Sequence, residues 1–167
     1  MKNKHFVKWL LGLVTLTLLT VLAACGSGKE QVRYFQQIDQ SSKIDIRMTY
    51  YYKGDTVTKQ TTESQIPYSR INATDEASAR TIVEPKSKQY QTLAGVKESI
   101  TYEKDGIKES LEIDYEKVDF KKLAEVDSAF ASSGGADAKK VSMKASAKLL
   151  ENNNFKEVKD GKFESLK

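Results

Sequence analysis

Between residues 44 and 53 apolar and polar positions alternate without a break. Ile44, Ile46, Met48, Tyr50 and Tyr52 fall on one side of an extended chain, and Asp45, Arg47, Thr49, Tyr51 and Lys53 on the other. A period of two sustained over such a run predicts a strand with one buried face. Lys53-Gly54-Asp55 offers a tight turn, and residues 56–66 continue in Thr- and Val-rich alternation, so the pair predicts a β-hairpin. Residues 31–39 read as a preceding strand closed by Gln40-Ser41-Ser42. In a second hairpin Val96, Ile100 and Tyr102 mark one strand, Asp105-Gly106 the turn, and Ile107, Leu111, Ile113 and Tyr115 the return. The Asp-Gly pair suits the positive φ angles of a two-residue turn. Glu98 and Glu109 interrupt the apolar faces and are expected at a solvated rim.

The stretch between the hairpins carries a helical period. It starts near Thr74 with Asp75 and Glu76 in the first turn, and Ala77, Ala79, Ile82 and Val83 begin an apolar stripe that Tyr90, Leu93 and Ala94 continue. Pro85 is expected to break or kink this helix and Gly95 to stop it. Asp119 is expected to cap a short helix burying Phe120 and Leu123, and residues 131–138, with Gly134-Gly135, to form a mobile loop. Ser142 then caps a last helix in which Met143, Ala147 and Leu150 share a face, Asn152-Asn153-Asn154 ends it, and Phe155 and Val158 dock the tail. The order hairpin, helix, hairpin, helices predicts an α+β fold: a two-layer sandwich in which an antiparallel β-sheet built from hairpins carries helices on one face.

Ahead of this domain the pattern changes. Lys2, Lys4 and Lys8 precede an uncharged apolar run over residues 9–24, the layout of a secretory signal. As a helix that run would reach about 24 Å against a hydrocarbon core of roughly 30 Å, which disfavours a membrane span. Leu22-Ala23-Ala24-Cys25 reads as a lipobox, with cleavage between Ala24 and Cys25 and lipid attached to Cys25; a plain cleaved signal or a short anchor is the alternative. Gly26-Ser27-Gly28 supplies a flexible tether. The chain therefore divides into a signal peptide (1–24), a lipidated cysteine with its tether (25–29) and one α+β domain (30–167). Two acyl chains on Cys25 would hold that domain at the membrane on its extracytoplasmic face, which is the cell surface of a single-membrane bacterium or the periplasmic side of a double-membrane one.

Charge and residue usage then exclude whole classes of chemistry. Three of the 27 Lys+Arg and none of the 23 Asp+Glu lie in residues 1–24, so the formal +4 of the chain is largely a property of the leader. A nearly neutral domain is poorly suited to nucleic acid, which demands a surplus of clustered cations. Cys25 and His5 are the only cysteine and histidine, and both lie outside the domain. Disulfides, thiol nucleophiles, imidazole bases and zinc sites are therefore unavailable to it, and no cofactor or metal is implied.

The runs Thr49-Tyr50-Tyr51-Tyr52-Lys53-Gly54-Asp55, Lys59-Gln60, Leu93-Ala94-Gly95-Val96, Glu116-Lys117-Val118-Asp119-Phe120 and Phe155-Lys156-Glu157-Val158 occur in an order that resembles the YehR-like family of small bacterial lipoproteins. The resemblance implies a two-layer α+β fold and transfers no functional residue.

Three constellations invite a functional reading. Tyr51 beside Arg47 and Lys53, on the outer face of its strand, is a candidate surface contact for a glycan or peptide; cross-strand packing is the competing account. Glu103, Asp105, Glu109, Glu112, Asp114 and Glu116 crowd the second hairpin, where a carboxylate pair would suit glycoside hydrolysis and an ordinary charged surface is the alternative. Lys139, Lys140, Lys144 and Lys148 form a basic patch suited to anionic lipid or wall polymer, or simply a solvated helix face. The reading favoured is a monomeric, non-enzymatic, membrane-anchored module of the cell envelope that binds an envelope protein or wall polymer or serves a structural role. The alternative is a carboxylate-dependent hydrolase acting on envelope glycans.

Overall fold

The computed structural model describes residues 28–167, so the leader, Ala24 and the expected lipid site at Cys25 lie outside the described residues. Strands β1 (Gln31–Asp39), β2 (Ile44–Lys53) and β3 (Thr56–Pro67) form a meander, followed by helix α1 (Glu76–Gln91) and the hairpin β4 (Val96–Tyr102) and β5 (Gly106–Asp114). Two short helices, α2 (Phe120–Val126) and α3 (Ser128–Ser132), lead to β6 (Val141–Ser142), α4 (Met143–Asn152) and β7 (Lys156–Val158). All pairings are antiparallel in the order β4-β5-β3-β2-β1-β7, with β6 paired to the start of β3. This is the expected α+β architecture.

Register explains where the core sits. Opposed residues on neighbouring strands share a face, so Phe35, Met48, Thr62 and Leu111 line up across β1, β2, β3 and β5. Phe35, Met48 and Leu111 are almost completely buried, and Ala79, Val83 and Tyr90 of α1, Leu123 of α2, Phe130 of α3 and Leu150 of α4 join them in one hydrophobic core. Each large apolar side chain removed from water in this way contributes roughly 1.5–3 kcal/mol. Tyr50 lies inside the same core, edge-on to Phe35 at 6.0 Å. The other face of the sheet carries Asp45, Arg47, Thr49 and Tyr51 of β2.

The helix starts follow their caps. Asp75 and Ser78 form a reciprocal capping box at α1, Asp119 accepts the amides of Lys121 and Lys122 at α2, and the Ser142 hydroxyl accepts the Ala145 amide at α4. Asp127 caps α3 in the same way, accepting the amides of Ala129 and Phe130.

Four expectations need correction. Of the break or kink expected at Pro85, the break does not occur: helix α1 runs on through it. Pro85 and Thr81, whose carbonyl loses its amide partner, are both exposed, so water can satisfy the freed oxygen. Residues 131–138, expected as a loop, instead finish α3 and form a 3-10 turn at Gly135–Asp137. Gly135 is buried so closely against Phe130 that a Cβ would stand 2.4 Å from that ring. Gly106 does not adopt a positive φ. It is required because the end of β3 runs close alongside it, Pro67 pairing with Gly106: a Cβ there would lie 2.4 Å from the Ile66 carbonyl oxygen. Finally, Glu98 and Glu109 leave the solvated rim for the inner face, for reasons given below.

Candidate functional site

The outer face of the sheet is built from short polar and charged side chains at alternate positions. Glu112 of β5 lies between two lysines, 2.9 Å from Lys97 of β4 and 3.9 Å from Lys59 of β3. The Ser110 hydroxyl donates to Glu63 at 2.6 Å, and Lys59 sits 4.2 Å above the centroid of the Tyr51 ring. The lysine contacts hold the Glu112 carboxyl below its usual range. Charge on this face is thus compensated across strands and produces no strong field of one sign.

Arg47, Tyr51 and Lys53 do share this face, but each is committed to a different partner. Tyr51 takes the Lys59 cation, Lys53 lies 4.0 Å from Glu116, and Arg47 pairs with Asp45 at 2.7 Å. Only Arg47 belongs to a larger assembly. Residues 162–167 return across the outer face beside β1, and the side chains beneath grip their main chain. The Gln36 amide donates to the Glu164 carbonyl at 2.9 Å and accepts the Glu164 amide at 2.9 Å. Gln40 repeats this one step along, donating to the Ser165 carbonyl at 3.0 Å and accepting the Lys167 amide at 2.9 Å. Arg47 donates to the Glu164 carbonyl at 2.9 Å and Lys43 to the Lys167 carbonyl at 2.7 Å.

Asp45 orients this grip from below. It accepts the Gln36 amide at 2.7 Å and the Arg47 Nε at 2.9 Å, and both Asp45 and Gln36 are buried. Phe163 stands edge-on to Tyr34 at 6.1 Å with the Arg47 guanidinium 5.4 Å from its centroid. Pairing opposite Arg47 puts Gln36 on the outer face, but no local pattern in the sequence says that a segment more than a hundred residues away will cover it.

On the inner face Glu98 and Glu109 meet beneath α1. Glu98 pairs with Leu111 and Glu109 with Ser64 and Ile100, which makes the two acids diagonal neighbours on β4 and β5. The Ser87 hydroxyl of α1 donates to Glu98, and Lys86 and Tyr90 close the same cavity. Burial, then the adjacent Glu98 charge and a hydrogen bond to it, push the Glu109 carboxyl up to about 8, while Lys86 and Ser64 oppose the shift. Burial lowers Lys86 in turn. The cavity measures about 10 Å³, room for a single water molecule and far too little for a sugar ring. Glu103, Asp105 and Glu116 of the acidic hairpin are exposed, as an ordinary charged surface would have them.

The end of the sheet where the chain enters has its own character. Gln31 pairs with Tyr52, so residues 28–30 arrive beside the β2–β3 turn, where Thr58 donates to Glu30 at 3.1 Å. Asp55 of that turn holds the start of α4 by accepting the Ser142 hydroxyl and the Lys144 amide, each at 2.8 Å. Exposed Lys144 and Lys148 therefore stand at the end of the sheet where residues 28–30 arrive. Among the described residues no helix is long and apolar enough to cross a membrane.

Residues 30–156 match the family described as "Protein of unknown function (DUF1307)". The chain is 35% identical over 146 residues to the uncharacterized lipoprotein Lmo0207 of Listeria monocytogenes, covering 87% of this chain and 92% of that protein. It is 36% identical over 157 residues to the uncharacterized lipoprotein YehR of Escherichia coli, covering 93% and 99%. The NMR structure of E. coli YehR superposes with a TM-score of 0.65 over 81% of this chain and 95% of that one. An NMR structure of a Streptococcus pneumoniae protein, 16% identical with a TM-score of 0.52 over 86% of this chain and 94% of that one, shares the fold. None of these names states an activity.

Proposed function

Because the chain belongs to the DUF1307 family, in company with lipoproteins such as YehR, we propose that it is a membrane-anchored lipoprotein carrying its lipid on Cys25, and that its domain is a non-enzymatic binding module of the cell envelope. The observation that carries the binding role is the outer face. Among the described residues helices cover only the inner face, whereas the outer one presents compensated polar ladders and a preorganised grip on main chain built from Gln36, Gln40, Lys43 and Arg47. A surface without net field that hydrogen-bonds peptide groups suits recognition by geometry rather than by charge. The exposed Lys144 and Lys148, at the end of the sheet where residues 28–30 arrive, favour a domain that sits with this end toward anionic lipid. The paired acids that a glycan hydrolase would need lie in a cavity of about 10 Å³ under a helix, which gives that reading no support.

Two experiments test the proposal. Cys25→Ala should move the protein out of the membrane fraction or leave its leader uncleaved; normal cleavage with full membrane retention refutes the anchor. A photo-crosslinking residue at Thr101 or Tyr51 on the outer face, introduced into the full chain in its own cells, should yield a reproducible adduct that the same residue at Lys121 on α2 does not. Identical adduct patterns from both positions refute the binding face.

A further inference from the structure

We infer that the groove now filled by residues 162–167 is a peptide-binding site, and that its ligand is an extended segment of another protein, bearing an aromatic residue, that displaces the chain's own tail. This rests on the reading of the domain as a binding module and names the site and the class of partner.

Three features argue for exchange rather than a permanent seal. First, six hydrogen bonds hold the tail and every one goes to its main chain, at Glu164, Ser165 and Lys167. Any extended segment offers the same amides and carbonyls, so the grip is indifferent to sequence except at the position of Phe163, where Tyr34 and Arg47 frame an aromatic ring. Second, the tail is a weak occupant. Lys162, Glu164, Ser165 and Lys167 are exposed and only Phe163 and Leu166 are partly covered, so little apolar area opposes its release. It leaves the sheet through Asp160 and Gly161, both at positive φ, a sharp bend on which a short strap can swing. Third, two of the four receiving side chains are held from within the sheet: Asp45 accepts from both Gln36 and Arg47 through bonds that do not involve the tail. The far end of the tail also walls a groove of about 600 Å³ with Pro67 and Glu103, space in which a longer ligand can continue.

The test uses a labelled peptide, Lys-Phe-Glu-Ser-Leu-Lys, the sequence of residues 162–167, read by fluorescence polarisation against the full chain in detergent and against a chain ending at Gly161. The shortened chain is expected to bind at least tenfold more tightly than the full chain. Gln36→Leu in the shortened chain, or N-methylation of the peptide's glutamate amide, should each weaken binding at least tenfold. Phe163→Ala in the full chain opens the site without truncation and should raise affinity for the same peptide severalfold. Absence of binding to both the shortened and the Phe163→Ala chains, with native circular dichroism, overturns the inference. Binding unaffected by Gln36→Leu overturns it too, as does a full chain that sediments as a tail-exchanged dimer, since the occupant is then a second copy. Outer-face crosslinking to an envelope protein that persists in Gln36→Leu cells would sink this site while leaving the binding-module reading intact.

Discussion

Replacing Glu109 with glutamine should make the protein more stable, and more so the higher the pH. Glu109 sits on the inner face of β5 with its carboxyl against Glu98 of β4, under Lys86 and Ser87 of α1 and beside Ser64 of β3, while Tyr90 and Asp127 lie behind Lys86. Its proton is held up to about 8 in the folded chain, whereas an exposed glutamate releases it near 4.5. Between those values the native state binds more protons than the unfolded one, so stability is fully present below about pH 4.5 and falls as pH rises toward 8. At about 1.4 kcal/mol per pH unit the upper bound is about 5 kcal/mol, and the shared site with Glu98 and the opposing Lys86 make ~2–4 kcal/mol the expected loss. Glutamine keeps a donor toward Glu98 and cannot ionise. Urea unfolding followed by circular dichroism at pH 5 and pH 8 measures the difference directly. Glu109→Gln should lie within ~1 kcal/mol of the unaltered chain at pH 5 and exceed it by ~2–4 kcal/mol at pH 8. Groups remote from the site cancel in that difference, whereas Glu98 and Lys86, which couple to Glu109, hold the expected gap below the upper bound. An equal gap at the two pH values, or a less stable variant at pH 8, refutes the placement of a protonated acid beneath α1.

Leu111→Ala, at the centre of the sheet's inner face, should cost about 3–5 kcal/mol in the same urea assay with no change in the slope, because the helices above cannot collapse into the cavity. Asp127→Ala removes the cap of α3 and the acceptor of the buried Tyr90 hydroxyl at 3.0 Å, and should cost about 2–4 kcal/mol; a loss under 1 kcal/mol would show the Tyr90 bond to be dispensable. Gly106→Ala should destabilise by at least ~2 kcal/mol because the clash is with the Ile66 backbone, whereas Gly54→Ala, at φ +60 in open space, should cost only about 1 kcal/mol. Equal thermal shifts for the two glycine variants would contradict the close approach of the β3 backbone to Gly106.

The strand pattern of residues 44–53 was plain because a strand with unbroken alternation needs only its own residues to say which face is buried. Alternation in 44–53 placed Ile46, Met48 and Tyr50 inside and Arg47 and Tyr51 outside, as observed. Asp119 and Ser142 announced their helices because a cap acts on amides two or three residues away. Pro85 misled for the converse reason: a local rule about a missing amide ignores that α1 gains its stability from Ala79, Val83 and Tyr90 packed on the sheet, which outweighs one exposed break in the ladder.

Periodicity also located Glu98 and Glu109 on the inner faces of their strands, yet a charged residue in an apolar stripe is most simply assigned to a rim. Only the packing of α1 over β4 and β5 decided that these acids would be covered together, and burial beside a like charge is what retains the Glu109 proton. The candidate site divides in the same way. Composition by itself removed thiol and imidazole chemistry from the domain, whereas Val32, Tyr34 and Ile38 share the parity of Gln36 in β1, and only pairing opposite Arg47 of β2 puts Gln36 on the outer face. That Gln36, Gln40 and Arg47 grip the main chain of 164–167 was decided by tertiary structure alone. Those bonds join residues more than a hundred positions apart and involve peptide groups that every residue carries, so no side-chain pattern along the chain encodes them.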